Sequence, residues 1–362
     1  MNSISENSNV TSHTIARQAG VSVGTVHRVL TNQANVSEEL RERVLHTIRE
    51  LGYVRVPRKR IKSGAGNAED KLYKTRLDTV LFCAPNRKTA DLREAYIYRI
   101  FGGVERGCSE NNISILFQSL EDSSNATEQV EALIQRTAID GILLHNFSST
   151  ELVENLKKLQ LPIVLVDSQQ PTGLGLDLVI TDNTAGGNLV VEHLVKLGHR
   201  EIAFINGPTR YSMKRRMEGY RNALIDAGLD YKPELIHEGD LSLEGGAQAM
   251  RELLERGVEF SAVFCANDLM ALGAIRALNA AGLQVPDDIS VVGFDDIEAS
   301  TLVSPALTTI HANLEDKGKV AVYRLIERAQ KPDSPVVWIT LPVYLVERSS
   351  TAPLVKNHSH LK

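Results

Sequence analysis

The sequence predicts an α/β protein in which a small all-α head precedes a two-lobed body of doubly wound parallel sheets. Three observations support this prediction. Residues 11–31 show the pattern of two short helices joined by a tight turn, short apolar runs alternate with amphipathic stretches from residue 77 onwards, and a chain of 362 residues is too long for one small domain. We place the head at residues 1–54, a basic linker at 55–76 and the body at 77–362.

The head is predicted to be a helix-turn-helix unit closed by a third helix. Ile15 and Ala19 share one face of the first helix, Gly20 forms the turn, and Ser22 opens the second helix. Ser37 is placed to cap a third helix, whose apolar stripe contains Leu40, Val44, Ile48 and Leu51. The second helix of such a unit enters the DNA major groove, where each base pair presents its own hydrogen-bonding pattern. The head therefore predicts binding to double-stranded DNA.

Charge distinguishes the head and linker from the body. Residues 1–62 contain ten Lys or Arg and five Asp or Glu, a net charge of about +5. Because the whole chain carries −5, the remainder carries about −10. A positive region confined to one end is expected when only that end meets phosphates. We expect Arg58, Lys59 and Arg60 of the linker to contact the DNA backbone.

Composition and missing motifs exclude several classes of protein. Cys83, Cys108 and Cys265 lack the spacing of metal ligands, and we predict that they are buried thiols. The N-terminus lacks the basic and apolar regions of an export signal, and no run is long enough to span a membrane, so we expect a cytoplasmic protein without a membrane partner. Dinucleotide, phosphate-loop, zinc-protease and nucleophile-elbow motifs are missing, so we expect no enzyme activity, cofactor or metal.

The body is predicted to contain two similar lobes built from strand-then-helix units. The apolar runs that predict strands are 79–83, 113–117, 141–144, 163–166, 202–205, 262–265 and 290–294, with later β-like runs at 307–310 and 336–346. We assign lobe 1 to about 77–180 plus 310–338, and lobe 2 to about 182–306 plus 341–351. Several crossings between the lobes would form a hinge that lets them close on a ligand.

Polar side chains directly follow most of these strands, where ligands bind in open parallel sheets. They are Asn86, Asn146, Asp167, Asn206, Asn267 and Asp295. Amides and carboxylates that converge on a cleft suit a small polyhydroxylated ligand, because each buried hydroxyl both donates and accepts. The alternative is that each residue only caps the following helix, which fits Asn267 well. We favour ligand contact for Asp167, Asn267 and Asp295, while Arg216 is either a bidentate ligand contact or an ordinary solvated or ion-paired arginine.

Motifs along nearly the whole chain carry a family resemblance. They include IARQAGVSVGTVHRVL at 15–30, TDN at 181–183, HLVKLGHREIAFI at 193–205, CAND at 265–268, VGFDD at 292–296 and LVERSS at 345–350. In these motifs the chain resembles the lactose/galactose repressor family of bacterial transcription regulators. The resemblance implies a regulator, expected to be a repressor, that binds a near-palindromic operator as a homodimer. It also implies a periplasmic-binding-protein-like body whose cleft takes a small effector, usually a sugar or nucleobase and here expected to be a sugar or sugar derivative.

The resemblance also implies roles for individual residues by position. It implies contacts to bases by Val23, Gly24 and Arg28, and positions near phosphates for Thr11, Ser22, Thr25 and Asn32. It implies effector contacts by Asp167, Arg216, Asn267 and Asp295, with Tyr96, Thr181 and the loop 85–88, which contains Asn86, as further wall positions.

The chain departs from the family pattern in two places. The linker lacks the usual leucine wedge of the family's hinge helix and has Ile61 among four cations, which favours binding led by phosphate contacts. The loop after the first strand is longer and more charged than usual. If Arg87, Lys88 or Arg93 faced the cleft, an acidic or larger ligand would be favoured, whereas a solvated loop is the alternative.

Two other function classes compete with a ligand-responsive regulator. A solute-binding protein for transport would share the body, but the head and the missing export signal argue against it. An α/β enzyme with an accessory DNA-binding domain would need a nucleophile, metal or cofactor motif that the sequence lacks. We favour release of DNA by an inducer, although a corepressor uses the same architecture.

Overall fold

The structure is a computed structural model that describes residues 12–22, 25, 26, 29, 36–50, 76–85, 94–120, 125–147, 149–168, 175–208 and 210–354. The chain divides into two compact units, Met1–Lys71 and Leu72–Lys362. The boundary falls inside the predicted linker.

The helices with defined bounds are α1 Ser12–Ala19, α2 Glu38–Glu50, α3 Glu94–Glu110, α4 Asn125–Arg136, α5 Thr150–Lys157, α6 Asn183–Lys196, α7 Tyr211–Asp226, α8 Leu243–Glu255, α9 Asp268–Ala280, α10 Ala299–Leu302 and α11 Leu314–Gln330. The strands are β1 Thr79–Pro85, β2 Ser114–Leu120, β3 Gly141–His145, β4 Ile163–Val166, β5 Asp177–Thr181, β6 Ile202–Asn206, β7 Ile236–Glu238, β8 Ala262–Cys265, β9 Ser290–Val292, β10 Thr309–His311, β11 Trp338–Leu341 and β12 Tyr344–Val346.

The described part of the N-terminal unit is helical, as predicted. α1 ends at a turn in which Gly20 has a φ of +66°, a conformation that glycine adopts without steric cost. The Ser22 hydroxyl then accepts a hydrogen bond from the Thr25 backbone N–H at 3.1 Å, which caps the helical segment that contains residues 25, 26 and 29. The buried core joins these elements to α2 through Ile15, Ala16, Ala19, Val26, Val29 and Val44.

The body contains two parallel sheets, which we call lobe 1 and lobe 2 together with their helices. The lobe 1 sheet has six strands in the order β11-β5-β4-β3-β1-β2, and the lobe 2 sheet has four in the order β7-β6-β8-β9. β10 and β12 form a separate antiparallel pair. Isolated bridges from Val292 to Thr308 and from Asp295 to His311 place this pair beside lobe 2. The chain therefore passes between the lobes after β5, after β10 and after β11, so the crossings that the sequence predicts are present.

Several strand predictions need correction. β5 and β7 were missed, since Asp177 interrupts the apolar character of the first and the second has only three residues, none of them buried. The single run predicted at 336–346 is two strands in different sheets, separated by Pro342, which cannot donate a ladder hydrogen bond. β11 lies in lobe 1 as far as Leu341, beyond the predicted limit at 338.

Two close helix crossings hold the helices that carry Lys317 and Arg216. A Cβ added at Gly103 of α3 would lie 1.8 Å from the Glu315 carbonyl oxygen of α11, and one at Gly318 would lie 2.1 Å from the Ile100 carbonyl oxygen. In lobe 2, the same test at Gly219 of α7 meets the Thr184 carbonyl oxygen of α6 at 2.1 Å. Only glycine permits these approaches. Lys317 and Arg216 lie within three residues of Gly318 and Gly219, so these crossings fix the position of their backbones relative to the neighbouring helix.

The three cysteines are buried free thiols, as predicted. Among the described residues, no helix combines the length and apolar character needed to cross a membrane. Within that same part of the chain, no group of three or more His, Cys, Asp or Glu side chains is arranged to hold a metal ion.

Candidate functional site

A cleft that is partly open to solvent lies between the two lobes. It is lined by Tyr96, Ile97, His145, Asn146, Asp167, Arg210, Ser212, Met213, Arg216, Leu241, Asn267, Asp268, Leu269, Asp295 and Ile297. The structure thus brings together five of the residues that the sequence singled out for effector contact, namely Tyr96, Asp167, Arg216, Asn267 and Asp295.

The lobe 1 wall is built around the carboxylate of Asp167, which follows β4. Tyr96 of α3 donates its phenolic O–H to Asp167 Oδ2 at 2.5 Å. Lys317 of α11 donates from Nζ to the same oxygen at 2.5 Å. The Lys317 side chain is 1% exposed and that of Asp167 is 8% exposed, so water hardly screens this ion pair.

These contacts set the charge state of the lobe 1 wall. Burial by itself would raise the pKa of Asp167, but the charges of Lys317 and His145 and the two hydrogen bonds outweigh it, so the pKa lies below its usual value. Burial, reinforced by the charge of Asp167, raises the pKa of Tyr96 well above that of a free phenol. At neutral pH the wall therefore combines an ionised carboxylate with a neutral phenol.

The lobe 2 wall is built around the guanidinium of Arg216 on α7. Its Nη2 donates to Asp295 Oδ1 at 3.2 Å, its Nε donates to Asn183 Oδ1 at 2.8 Å, and its Nη1 donates to the Ala266 carbonyl oxygen. The plane also lies over the Phe294 ring, 3.5 Å from the centroid. Arg216 is 4% exposed, so it is not a solvated arginine; it is ion-paired with Asp295 and also lines the cleft, and its contact with a ligand stays a prediction.

Asp295 carries its side chain into the cleft from an unusual backbone conformation. Its φ is 108° and that of Asp296 is 56°, both in the region that favours glycine, which strains this short segment. The two carboxylates have different partners: Asp296 pairs with His311 at 2.7 Å and Arg348 at 2.5 Å and is not among the described residues that line the cleft. Arg99 of lobe 1 donates to the Asp296 carbonyl oxygen at 2.6 Å and so links the lobes.

Burial raises the pKa of Asp295 to about 6, although Arg216 and Lys317 oppose the shift. Asp268 lies behind it at the start of α9. Its carboxylate accepts hydrogen bonds from the Ile297 N–H and the Ser300 hydroxyl, both at 2.8 Å, and from the Thr309 hydroxyl. Burial and the neighbouring charge of Asp295 nevertheless raise the pKa of Asp268 to about 7. Two carboxyl groups of this wall therefore titrate near neutrality.

Asn267 performs the capping role that the sequence suggests and also lines the cleft. Its Oδ1 accepts from the Met270 N–H at 2.9 Å at the start of α9, and its Nδ2 donates to the Leu241 carbonyl oxygen at 3.0 Å. Capping and ligand contact are not exclusive here, because the amide holds a second Nδ2 hydrogen.

One predicted wall position does not join this group, and another lies outside the described residues. Thr181, at the end of β5, is 2% exposed, and its hydroxyl faces the Ala312 carbonyl oxygen at 3.5 Å instead of the cleft lining. It lies where the chain crosses from lobe 1 to lobe 2. Asn86 lies outside the described residues.

Sequence reasoning missed three residues that organise the cleft. Asn183 accepts a hydrogen bond from Arg216 and so orients it, and Lys317 pairs with Asp167. Asp268 holds the segment after β9 by accepting a hydrogen bond from the Ile297 N–H. Asn183 and Asp268 stand beside the predicted Thr181 and Asn267, so adjacency was an available signal. Lys317 gave none, since a lysine on an amphipathic helix ordinarily faces solvent.

Of the predicted DNA contacts, Ser22 and Thr25 lie at the start of the second helix of the N-terminal unit, with their hydroxyl oxygens 2.9 Å apart. Ser22 is exposed and Thr25 is half-buried. Thr11, Val23, Gly24, Arg28, Asn32, Arg58, Lys59 and Arg60 lie outside the described residues.

Comparison with known proteins assigns both parts of the chain. Residues 11–55 match the family model for bacterial regulatory proteins of the lacI family, and residues 191–351 match that for a periplasmic binding protein-like domain. The chain is 34% identical over 342 residues to the ribose operon repressor of Escherichia coli K12, covering 93% of this chain and 98% of that one. It is 32% identical over 341 residues to the transcriptional regulator CelR of Thermobifida fusca, covering 93% and 96%.

Solved structures show the same architecture. A CelR–cellobiose complex matches with a TM-score of 0.70 at 31% identity, covering 94% of this chain and all of that one. A lac repressor dimer bound to operator and the anti-inducer ONPF matches with a TM-score of 0.74 at 28% identity, covering 95% and 99%. The fold prediction is confirmed, and the chain belongs to the lacI family of bacterial regulatory proteins.

Proposed function

We propose that this chain is a transcriptional repressor that binds operator DNA as a homodimer and is controlled by a small sugar held in the cleft between its lobes. The observation that carries the proposal is the lining of that cleft on a chain with a helix-turn-helix unit. Asp167 and Asp295 offer acceptors, Arg216 and Asn267 offer donors, and all four belong to the body behind the head. The ribose operon repressor and the CelR–cellobiose complex support a sugar by analogy.

The chemistry of the lining suits a sugar. Each hydroxyl of a buried sugar both donates and accepts, and a carboxylate beside a guanidinium or an amide offers one partner of each kind. Met213, Leu241, Leu269 and Ile297 supply apolar surface for the C–H faces of a ring. A fully apolar ligand would leave both buried carboxylates without a new partner.

A ligand between the walls couples the cleft to the spacing of the heads. Asp167 belongs to lobe 1, whereas Arg216, Asn267 and Asp295 belong to lobe 2, so a ligand that contacts both stabilises one relative position of the lobes. Binding then shifts the population between lobe arrangements. In a homodimer that reads two half-sites, such a shift alters operator affinity. We propose that the sugar acts as an inducer that releases DNA.

The base contacts are proposed for Val23, Gly24 and Arg28, and phosphate contacts for Thr11, Ser22, Thr25, Asn32, Arg58, Lys59 and Arg60. Ser22 already uses its hydroxyl as a helix cap, which places it at the end of the second helix where a phosphate is favoured. We propose that the effector binds without turnover, because the relatives named above are transcription regulators.

The test uses the full-length protein and a duplex selected by it from a random library. Operator affinity is measured by fluorescence anisotropy with and without each sugar that raises the melting temperature. We expect sequence-specific binding that weakens when such a sugar is added.

Arg28→Ala should weaken specific binding by roughly 1 to 3 kcal/mol while sparing non-specific binding. A protein that selects no duplex but still binds sugars would instead be a solute-binding protein.

A further inference from the structure

Each wall of the cleft contains one buried ion pair, and the two pairs come from different lobes. In lobe 1, Lys317 meets Asp167 at 2.5 Å, with side chains 1% and 8% exposed. In lobe 2, Arg216 meets Asp295 at 3.2 Å, with side chains 5% and 8% exposed. When all four groups are ionised, each pair is electrically neutral. The remaining titratable groups of the described lining are His145, Arg210, Asp268 and the phenol of Tyr96.

Lys317 acts on the cleft without lining it. It lies behind Asp167 on α11, where the Gly318 crossing holds this part of the helix against α3. Its ammonium is 5.7 Å from the centroid of the Tyr96 ring, which also faces Asp167. Its charge also opposes the rise that burial causes in the pKa of Asp295 across the cleft, so one buried lysine acts on both carboxylates. Lys317 therefore affects a ligand in two ways: through its contact with Asp167 and through the electric field of its ammonium group.

We propose that Lys317 is a positioning residue that neutralises the charge of Asp167 and thereby selects an uncharged sugar over the matching sugar acid or amino sugar. The inference rests on the proposed sugar-binding function and narrows its ligand class. Without the lysine, the buried carboxylate of Asp167 would be unpaired and would favour a cationic ligand. Without the carboxylate, the buried ammonium would favour an anionic one.

The physical reason is the low exposure of the pair. An unpaired buried charge is costly, so a ligand that brings its own charge against this pair is disfavoured while the pair is neutral. A neutral sugar adds only hydroxyls, and these can share Asp167 with Tyr96 and Lys317. Selection between charged and neutral ligands should therefore follow the net charge of the Lys317–Asp167 pair.

The experiment varies that charge in the full-length protein and measures ligand affinity by calorimetry. The variants are Lys317→Met, Asp167→Asn and the double variant, which give the pair a charge of minus one, plus one and zero. Lys319→Met is the matched control, because Lys319 lies on the same helix but is partly exposed and pairs with Glu110 at 2.8 Å. The probes are D-ribose with D-ribonate, D-glucose with D-glucuronate and D-glucosamine, and cellobiose with cellobionate.

We expect the wild type, the Lys319→Met control and the double variant to prefer the neutral sugars. Lys317→Met should shift the ratio of dissociation constants towards D-glucosamine, and Asp167→Asn towards the acids, each by about tenfold or more. Recovery of neutral selectivity in the double variant is a result that a purely structural lysine would not give. If Lys317→Met does not fold, Asp167→Asn and the double variant still test the charge rule.

Two results would overturn the inference, and they differ in what they mean for the proposed function. If neutral sugars bind the wild type but all variants share one order of preference, the role of Lys317 is wrong and the sugar-responsive regulator stands. If no neutral sugar binds the wild type, or the acids bind it better, both this inference and the proposed effector class fail.

Discussion

The two cleft carboxylates, Asp167 and Asp295, occupy similar positions in the fold, but their pKa values shift in opposite directions. Each follows a strand of a parallel sheet, each is almost fully buried and each contacts a buried cation. Yet the pKa of Asp167 lies below its usual value, whereas that of Asp295 is raised to about 6. Burial opposes ionisation at both sites, so the difference comes from their partners.

The partners differ in the number and the length of the hydrogen bonds that they donate to each carboxylate. Lys317 and Tyr96 both donate to Asp167, each at 2.5 Å. Arg216 reaches Asp295 at 3.2 Å and divides its donors among Asn183 and the Ala266 carbonyl as well. The negative charge of Asp167 also contributes to the raised pKa of Asp295. A buried cation therefore does not by itself keep a carboxylate ionised, since distance and shared donors decide the outcome.

The largest predicted effect is on the lobe 2 pair. Arg216→Met should leave Asp295, Asn183 and the Ala266 carbonyl without their buried donor, and we expect a loss of about 3 to 5 kcal/mol in the free energy of unfolding, together with loss of sugar binding. Urea denaturation measures the first and calorimetry the second. Arg215→Met is the control, because Arg215 is exposed and pairs with Glu218 at the surface. Equal losses in the two variants would contradict the assigned role of Arg216.

The next prediction concerns the pH dependence of stability. The native pKa of Asp295 exceeds its unfolded value, so its contribution favours folding in acid and is lost as pH rises through about 6. The native pKa of Asp167 is lowered, so its contribution is present above the unfolded pKa and is lost as pH falls through the native pKa. The two residues should therefore give pH profiles of opposite slope.

Denaturation of the wild type, Asp295→Asn and Asp167→Asn across acid to neutral pH tests this contrast. Between pH about 4 and 6 the wild type should lose stability relative to Asp295→Asn, by an amount on the order of 2 kcal/mol. Relative to Asp167→Asn, it should gain stability as the pH rises from strong acid. Profiles with the same sign of slope would show that the two carboxylates are not distinguished as described.

The smallest predicted effect separates the cap from the ligand contact at Asn267. Asn267→Ala should cost about 1 kcal/mol of stability, because the Met270 N–H loses its acceptor. Asn267→Ser keeps an oxygen acceptor but lacks the amide donors, so it should preserve most of the stability while weakening sugar binding. A serine variant with unchanged sugar affinity would leave Asn267 with its capping role alone.

The sequence predicted most of the fold and much of the cleft for a physical reason. Parallel strands bring their carboxyl ends together, so polar residues after apolar runs, such as Asp167 and Asp295, converge whatever the details of packing. Apolar periodicity likewise identified the helices of the head. These features depend on local pattern and topology, which a single chain displays.

The parts that sequence reasoning missed depend on tertiary contacts. Lys317 enters the cleft region from a helix 150 residues after Asp167, and only the close packing of α3 and α11 buries it. Thr181 shares a motif with cleft residues but serves a crossing between lobes. The strand at 236–238 is too short and too exposed to give an apolar run. Neither these two contacts nor the short strand produces a recognisable pattern in the neighbouring sequence.

The central claim is that ligand in the cleft controls DNA binding by the head. The most direct measurement compares operator affinity with and without a sugar that raises the melting temperature, in the wild type and in Asp295→Ala. We expect the sugar to weaken operator binding by the wild type by about tenfold or more and to leave Asp295→Ala, with its unliganded operator affinity intact, unresponsive. Tight sugar binding with unchanged operator affinity in the wild type would contradict the account.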